Sequence, residues 1–128
     1  MIGSIPIITL IMLAFIHWEA DFSMQTHQMA MGKSKSNYWL TLHVLVYTGV
    51  TLLFWRFFIF DPSNVYCLMD YFKFSLFIFS THWITDYITS RISGKLYKDE
   101  KYHEFFALIG IDQLIHLIQL VIAFNYFK

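Results

Sequence analysis

Phe74-Ser75-Leu76-Phe77-Ile78-Phe79-Ser80-Thr81-His82-Trp83-Ile84-Thr85-Asp86-Tyr87 is an apolar run that closes on a histidine and a carboxylate four residues apart. On a helix this spacing puts both groups on one face, about 6 Å apart along the axis. So apolar a run sets them at membrane depth. Nearly the same signature stands earlier, as His17-Trp18-Glu19-Ala20-Asp21-Phe22, and it too ends an apolar run. Ionisable groups within a bilayer-spanning helix are costly unless they pair or turn inward, so two such pairs mark a functional site.

The surrounding composition agrees. Of 128 residues, 57% are hydrophobic, 20% aromatic and only 14% charged, against about 45–50% apolar and 25% charged in soluble domains. The length suits one domain, residues 1–128. Nine basic residues balance nine acidic ones. With no basic stripe among the aromatics, nucleic acid is excluded as a partner. The lone Cys67 has no partner for an intrachain disulfide and reads as apolar filler. The apolar stretch from Ile5 to Ile16 has the length of a signal-peptide core, but it lacks a basic segment before it and a small-residue cleavage site after it, so it is expected to be retained.

Four stretches, residues 5–22, 38–60, 70–88 and 105–127, approach the ~20 residues that a hydrocarbon core requires. Nothing alternates as barrel strands would. The expected fold is therefore all-α, a polytopic integral membrane protein of four transmembrane helices built as two similar helical hairpins. Asp61-Pro62-Ser63-Asn64 reads as a tight turn between the second and third spans, and residues 26–37 and 93–102 read as polar linkers. Those linkers carry Lys33, Lys35, Lys95, Lys98 and Lys101, with Arg91 just before the second, so the positive-inside rule makes them cytoplasmic and puts both termini outside. Tyr38, Trp39, Tyr102 and Tyr126 fall where interfacial anchors are expected. Asp70 and Lys73, three apart, suit an interfacial ion pair. Gly49 and Gly110 are candidates for close helix approach.

The other two spans carry polar pairs at the same spacing, His43 with Tyr47 and Asp112 with His116. At about 1.5 Å per residue, all four pairs lie roughly 7–17 Å below the same membrane face. One slab of the inner leaflet thus gathers four histidines and three carboxylates. The two halves enter the membrane in the same sense, which predicts a pseudo-twofold axis along the membrane normal with the HWxxD signatures facing across it. Glu19, two residues after His17, should point outward.

Imidazole with carboxylate suits a divalent metal, zinc first, with iron or manganese where more carboxylates join. His17, His43, His82, Asp112 and His116 are the candidate ligands. Asp21 and Asp86 are candidates for general base or ligand, and Tyr47 for oxyanion donor. The leading expectation is a membrane-bound metal-dependent hydrolase acting on a lipid-like or amphipathic substrate. Two other classes stay open: a transport or channel module in which His and Asp relay protons or a cation, and a noncatalytic membrane factor with a polar packing core. Polar residues in the outer halves are few, Thr51 and Ser75 being the best, so a pore would call for a homo-oligomer.

The motif order HxxxDFxxQ (His17 to Gln25), HVLVY (His43 to Tyr47), THWITDY (Thr81 to Tyr87) and IDQLIH (Ile111 to His116) resembles a bacterial and phage membrane family, domain of unknown function 3307. The resemblance spans almost the whole chain. It maps the family's polar positions onto His17, Asp21, Gln25, His43, Tyr47, His82, Asp86, Asp112, Gln113 and His116. It implies a small polytopic protein of a bacterial-type inner membrane and supplies no activity.

Overall fold

A computed structural model describes residues 5–58 and 66–127. The expected Asp61-Pro62-Ser63-Asn64 turn lies outside them. The described residues form helix α1 (Ile7–Trp18), a π-helical turn (Glu19–Ser23), a short helix α2 (His27–Gly32), and three long helices, α3 (Asn37–Phe58), α4 (Tyr66–Lys98) and α5 (Tyr102–Tyr126). They contain no strand.

The four long elements make a square bundle. α1 packs on α3 and α5, and α4 packs on the same two, which puts α1 and α4 at opposite corners. Neighbours run antiparallel. Along the α3–α4 seam, for example, Asn37 meets Arg91, Thr41 meets Trp83 and Trp55 meets Phe74. The two HWxxD signatures consequently face each other across the centre, where Asp21 Oδ1 lies 3.5 Å from His82 Nε2.

The interior has two zones. One end is apolar, with Leu13, Trp55, Phe74, Ile78, Leu120 and Ala123 at its core and the Trp55 and Phe74 rings stacked at 4.9 Å. The other end is polar, and His17, Asp21, His43, His82, Asp86, Asp112 and His116 are all buried there. Outside, the pattern is inverted. Ile7, Ile11 and Phe15 of α1, Leu45 and Leu53 of α3, Leu76 and Ile84 of α4, and Ile111, Leu114 and Ile118 of α5 are all exposed. Exposed apolar side chains thus run along each of these four elements. Two helices, Asn37–Arg56 and Tyr102–Tyr126, are long and apolar enough to cross a membrane.

The polar linkers differ from expectation. Residues 93–98 are not a linker but the last turns of α4, and only residues 99–101 join it to α5, with Glu100 in the left-handed region at φ 59°. Its residues there are ordinary helix formers apart from Gly94. The extension also has something to pack on: a Cβ on Gly94 would meet Ser34 Cβ at 3.4 Å, and Arg91 donates to Asn37 Oδ1 at 2.6 Å. Within residues 26–37 the chain makes α2, capped by Thr26, whose hydroxyl accepts from Met29 N–H at 3.2 Å. Gly49 and Gly110 have open space beside them, so neither allows close helix approach. The close approach is at Gly32, where a Cβ would sit 2.5 Å from Trp39. Asp70 and Lys73 do pair, at 3.6 Å on the surface.

Candidate metal centre

Four elements deliver the polar side chains. Asp21 comes from the π turn, His43 and Tyr47 from α3, His82 and Asp86 from α4, and Asp112, Gln113 and His116 from α5. In α4 the helix is continuous, so His82 and Asp86 stay on one face and their Nε2 and Oδ2 atoms lie 3.6 Å apart. In the first signature, Met24 N–H bonds to Glu19 O at 2.9 Å, the five-residue step of a π turn. Beside that turn His17 and Asp21 take different partners, His17 bonding to Tyr47 and Gln113 while Asp21 lies against His43.

Four atoms converge at the centre. His43 Nε2 lies 3.1 Å from Asp21 Oδ1, 3.2 Å from Asp86 Oδ2 and 3.3 Å from His82 Nε2. His82 Nε2 lies 3.5 Å from Asp21 Oδ1 and 3.6 Å from Asp86 Oδ2. Asp21 Oδ1 is buried without an aligned hydrogen-bond donor despite these neighbours. A tetrahedral ion with bonds of about 2.0–2.1 Å separates its ligands by about 3.3–3.4 Å. The five distances bracket that value, so Asp21, His43 and His82, with Asp86 beside them, can hold a metal ion. A second group, His82, Asp86 and His116, shares two of these residues. His116 Nε2 stands 3.0 Å from Asp86 Oδ1 and 3.4 Å from Asp112 Oδ1. Asp86 thus serves both groups, one oxygen to each.

Hydrogen bonding fixes several protons. Gln113 Nε2 donates to Asp21 Oδ2 at 2.9 Å and to Asp112 Oδ2 at 3.1 Å, which turns its Oε1 toward His17 Nε2 at 2.8 Å. His17 must then carry its proton on Nε2 and accept at Nδ1 from the Tyr47 hydroxyl, 3.0 Å away. Both nitrogens of His17 are used, so it stands outside the ligand groups, and the Tyr47 hydroxyl is committed to it. Gln119 Nε2 donates to Thr85 Oγ1 at 2.8 Å, leaving its Oε1 3.2 Å from His116 Nδ1. His116 therefore faces acceptors on both sides and donates from both nitrogens, as an imidazolium does. Thr89 sets its hydroxyl on Asp112 Oδ1. The rings of Tyr47, His82 and His116 stack in series at 3.9 and 3.8 Å.

Lys33, at the C-terminal cap of α2, is the member that sequence reasoning missed as a site residue. Its ammonium donates to Asp86 Oδ2 at 3.1 Å and lies 3.5 Å from His43 Nε2. Burial pulls its pKa down, but Asp86 and Asp21 outweigh that and hold it above the usual 10.5. As a loop lysine it is fully accounted for by the positive-inside rule, which conceals any second role. Gln113 was visible only through the family pattern. Gln25 is half-buried with Oε1 unpartnered, Glu19 is half-buried, and His27 and His103 are exposed.

Three carboxylates thus face two cations, Lys33 and His116, at the polar end of the bundle interior. An all-helical protein with an inverted polarity pattern and a buried histidine–aspartate core is the class that fold and site define. Within that class, the family model "Protein of unknown function (DUF3307)" matches residues 7–128, and the chain belongs to that family. No curated protein and no solved structure matches it significantly.

Proposed function

We propose that the chain is a four-span protein of a bacterial-type inner membrane whose polar core holds one divalent cation, zinc first, and uses it to hydrolyse a lipid-like or amphipathic substrate. Both termini lie outside, and the ends carrying Lys33, Lys35, Lys95 and Lys98 face the cytoplasm. The apolar exterior of all four long elements supports the spans. The reading is carried by one observation: His43 Nε2, His82 Nε2 and Asp21 Oδ1 lie 3.1–3.5 Å from one another at the bundle centre, three ligands that leave a tetrahedral ion one open position.

A divalent ion held there supplies charge stabilisation and brings a coordinated water to a pKa of about 7. The chain's own groups do the rest. Asp86 presents Oδ2 to the ligand cluster and Oδ1 to His116, which already donates from both nitrogens and so serves as the carboxylate's fixed charge partner, backed by Gln119. Asp112, held by Thr89 and Gln113, keeps His116 in place. Tyr47 orients His17 and takes no part at an oxyanion. Substrate approaches past Lys33, whose side chain is 18% exposed where Asp86 is 1%.

Transport is the weaker reading. Thr51 Oγ1 donates to Thr48 O and Ser75 Oγ to Phe72 O, each within its own helix. Leu13, Trp55, Phe74 and Leu120 surround the axis beyond the cluster, around an apolar cavity of about 190 Å³. The polar side chains an ion would meet on that cavity's wall are the hydroxyls of Thr9 and Thr51, the second already donating within its own helix, and neither carries a charge.

The test is hydrolysis by the purified, zinc-loaded protein in lipid vesicles, with fluorogenic long-chain esters, phosphoesters and amides. Turnover should disappear with a chelator, return with zinc, and be absent in His82→Ala. No turnover in any of the three substrate classes by protein that holds zinc contradicts the hydrolase.

A further inference from the structure

Every imidazole and carboxylate of the cluster projects from a long packed helix or, for Asp21, from the π turn continuous with α1, but its ammonium does not. Lys33 sits on a connection, at the end of the six-residue helix α2. It is also the least buried member, so its side chain has a way out. We propose that Lys33 is an exchangeable resident cation: it occupies the metal's place on Asp86 while the site is empty and is expelled toward the cytoplasmic end when a divalent ion binds. The inference rests on the metal reading above and names how that site is controlled.

The geometry forces a competition. The ammonium lies 3.1 Å from Asp86 Oδ2 and 3.5 Å from His43 Nε2, and both atoms belong to the ligand set. A lone pair given to a metal is no longer available to an ammonium, and a dication sharing the oxygen repels it. Charge favours exchange over coexistence. Asp21, Asp86 and Asp112 bring three negative charges, and His116, donating from both nitrogens, brings one positive. A dication in place of Lys33 makes the buried cluster neutral, whereas a dication beside Lys33 leaves it one charge positive. The backbone need not move. Lys33 O accepts from Ser90 Oγ at 3.4 Å, and Gly32 is wedged against Trp39, so side-chain rotation alone suffices. The device lowers the acidic core from two net negative charges to one before loading, and it makes the path past Lys33 open as the metal arrives.

Two measurements on the full-length protein in detergent test this. In the first, zinc affinity is read by competition with a chromophoric chelator for wild type, Lys33→Met and Lys33→Arg. Lys33→Met should bind at least tenfold tighter than wild type, and Lys33→Arg should not. In the second, amine-reactive labelling of wild type is resolved by peptide mass spectrometry. Saturating zinc should raise labelling of Lys33 about tenfold and leave that of exposed Lys35 unchanged. Equal or weaker binding by Lys33→Met, or labelling of Lys33 that zinc does not change, overturns the exchange while leaving the metal site standing. Failure of folded wild type and Lys33→Met alike to bind zinc overturns both.

Discussion

The two HWxxD signatures are near copies in sequence and differ in the bundle. In the second, an unbroken α4 keeps His82 and Asp86 together, and both enter the cluster. In the first, which runs into the π turn at Glu19–Ser23, the pair divides its contacts: Asp21 reaches the cluster, and His17 is committed to Tyr47 and Gln113. A repeated motif therefore does two jobs, a ligand pair on α4 and, in the first half, one ligand plus one scaffold residue. A site assembled by strict symmetry would carry both histidines. This one keeps one histidine from the repeat and takes the other, His43, from α3.

Substitutions that treat the copies alike should break them apart. The largest effect belongs to Asp86, which faces Lys33, His43, His82 and His116. Asp86→Asn should lower zinc affinity at least a hundredfold and destabilise the protein by about 3–5 kcal/mol, since it strands buried cations. Both are read by chelator competition and by denaturation in mixed micelles. Asp21→Asn removes one ligand and keeps the Gln113 contact within reach of the amide, so its loss of affinity should be clearly smaller. Equal losses would mean that the copies are equivalent after all.

His17→Ala sharpens the contrast from the other side. It leaves the Tyr47 hydroxyl and Gln113 Oε1 without their partner, which costs about 1–3 kcal/mol each way it is measured, while zinc affinity should stay within about threefold. Tyr47→Phe, which removes only the donor to His17, should cost less, about 1 kcal/mol. A hundredfold loss of affinity in His17→Ala would return His17 to the ligand set.

The smallest effect is in pH. Lys33 has its pKa raised in the fold, so the stability that it contributes is complete below pH 10.5 and is lost as the pH rises through the folded-state value. Asp86 of α4, Asp21 of the π turn, His43 of α3 and Asp112 of α5 are the ionisable groups acting on it. The stability difference between wild type and Lys33→Met should accordingly be flat from pH 7 to pH 9 and shrink only above about 10.5. A difference that already falls between pH 7 and pH 9 would contradict that assignment.

Depth and spacing were enough to place His43, His82, Asp86, Asp112 and His116 at one level, because a helix of fixed rise converts residue number into height. The shared sense of the two halves predicted that the two signatures would face each other, and they do, at Asp21 and His82. The depth arithmetic failed at His17, because equal height does not fix which partners a side chain takes. It failed at residues 93–98, where lysines read as linker although they also form good helix. Lys33 was hidden for a different reason: a basic residue beside a membrane span already has an explanation, so nothing in the sequence asks for another.

Metal content of the purified chain, compared between His82→Ala and His17→Ala, tests the central claim most directly. Elemental analysis should find about one zinc per chain in wild type and in His17→Ala and essentially none in folded His82→Ala. Folded wild type without metal after exposure to zinc, or equal zinc in both variants, would contradict it.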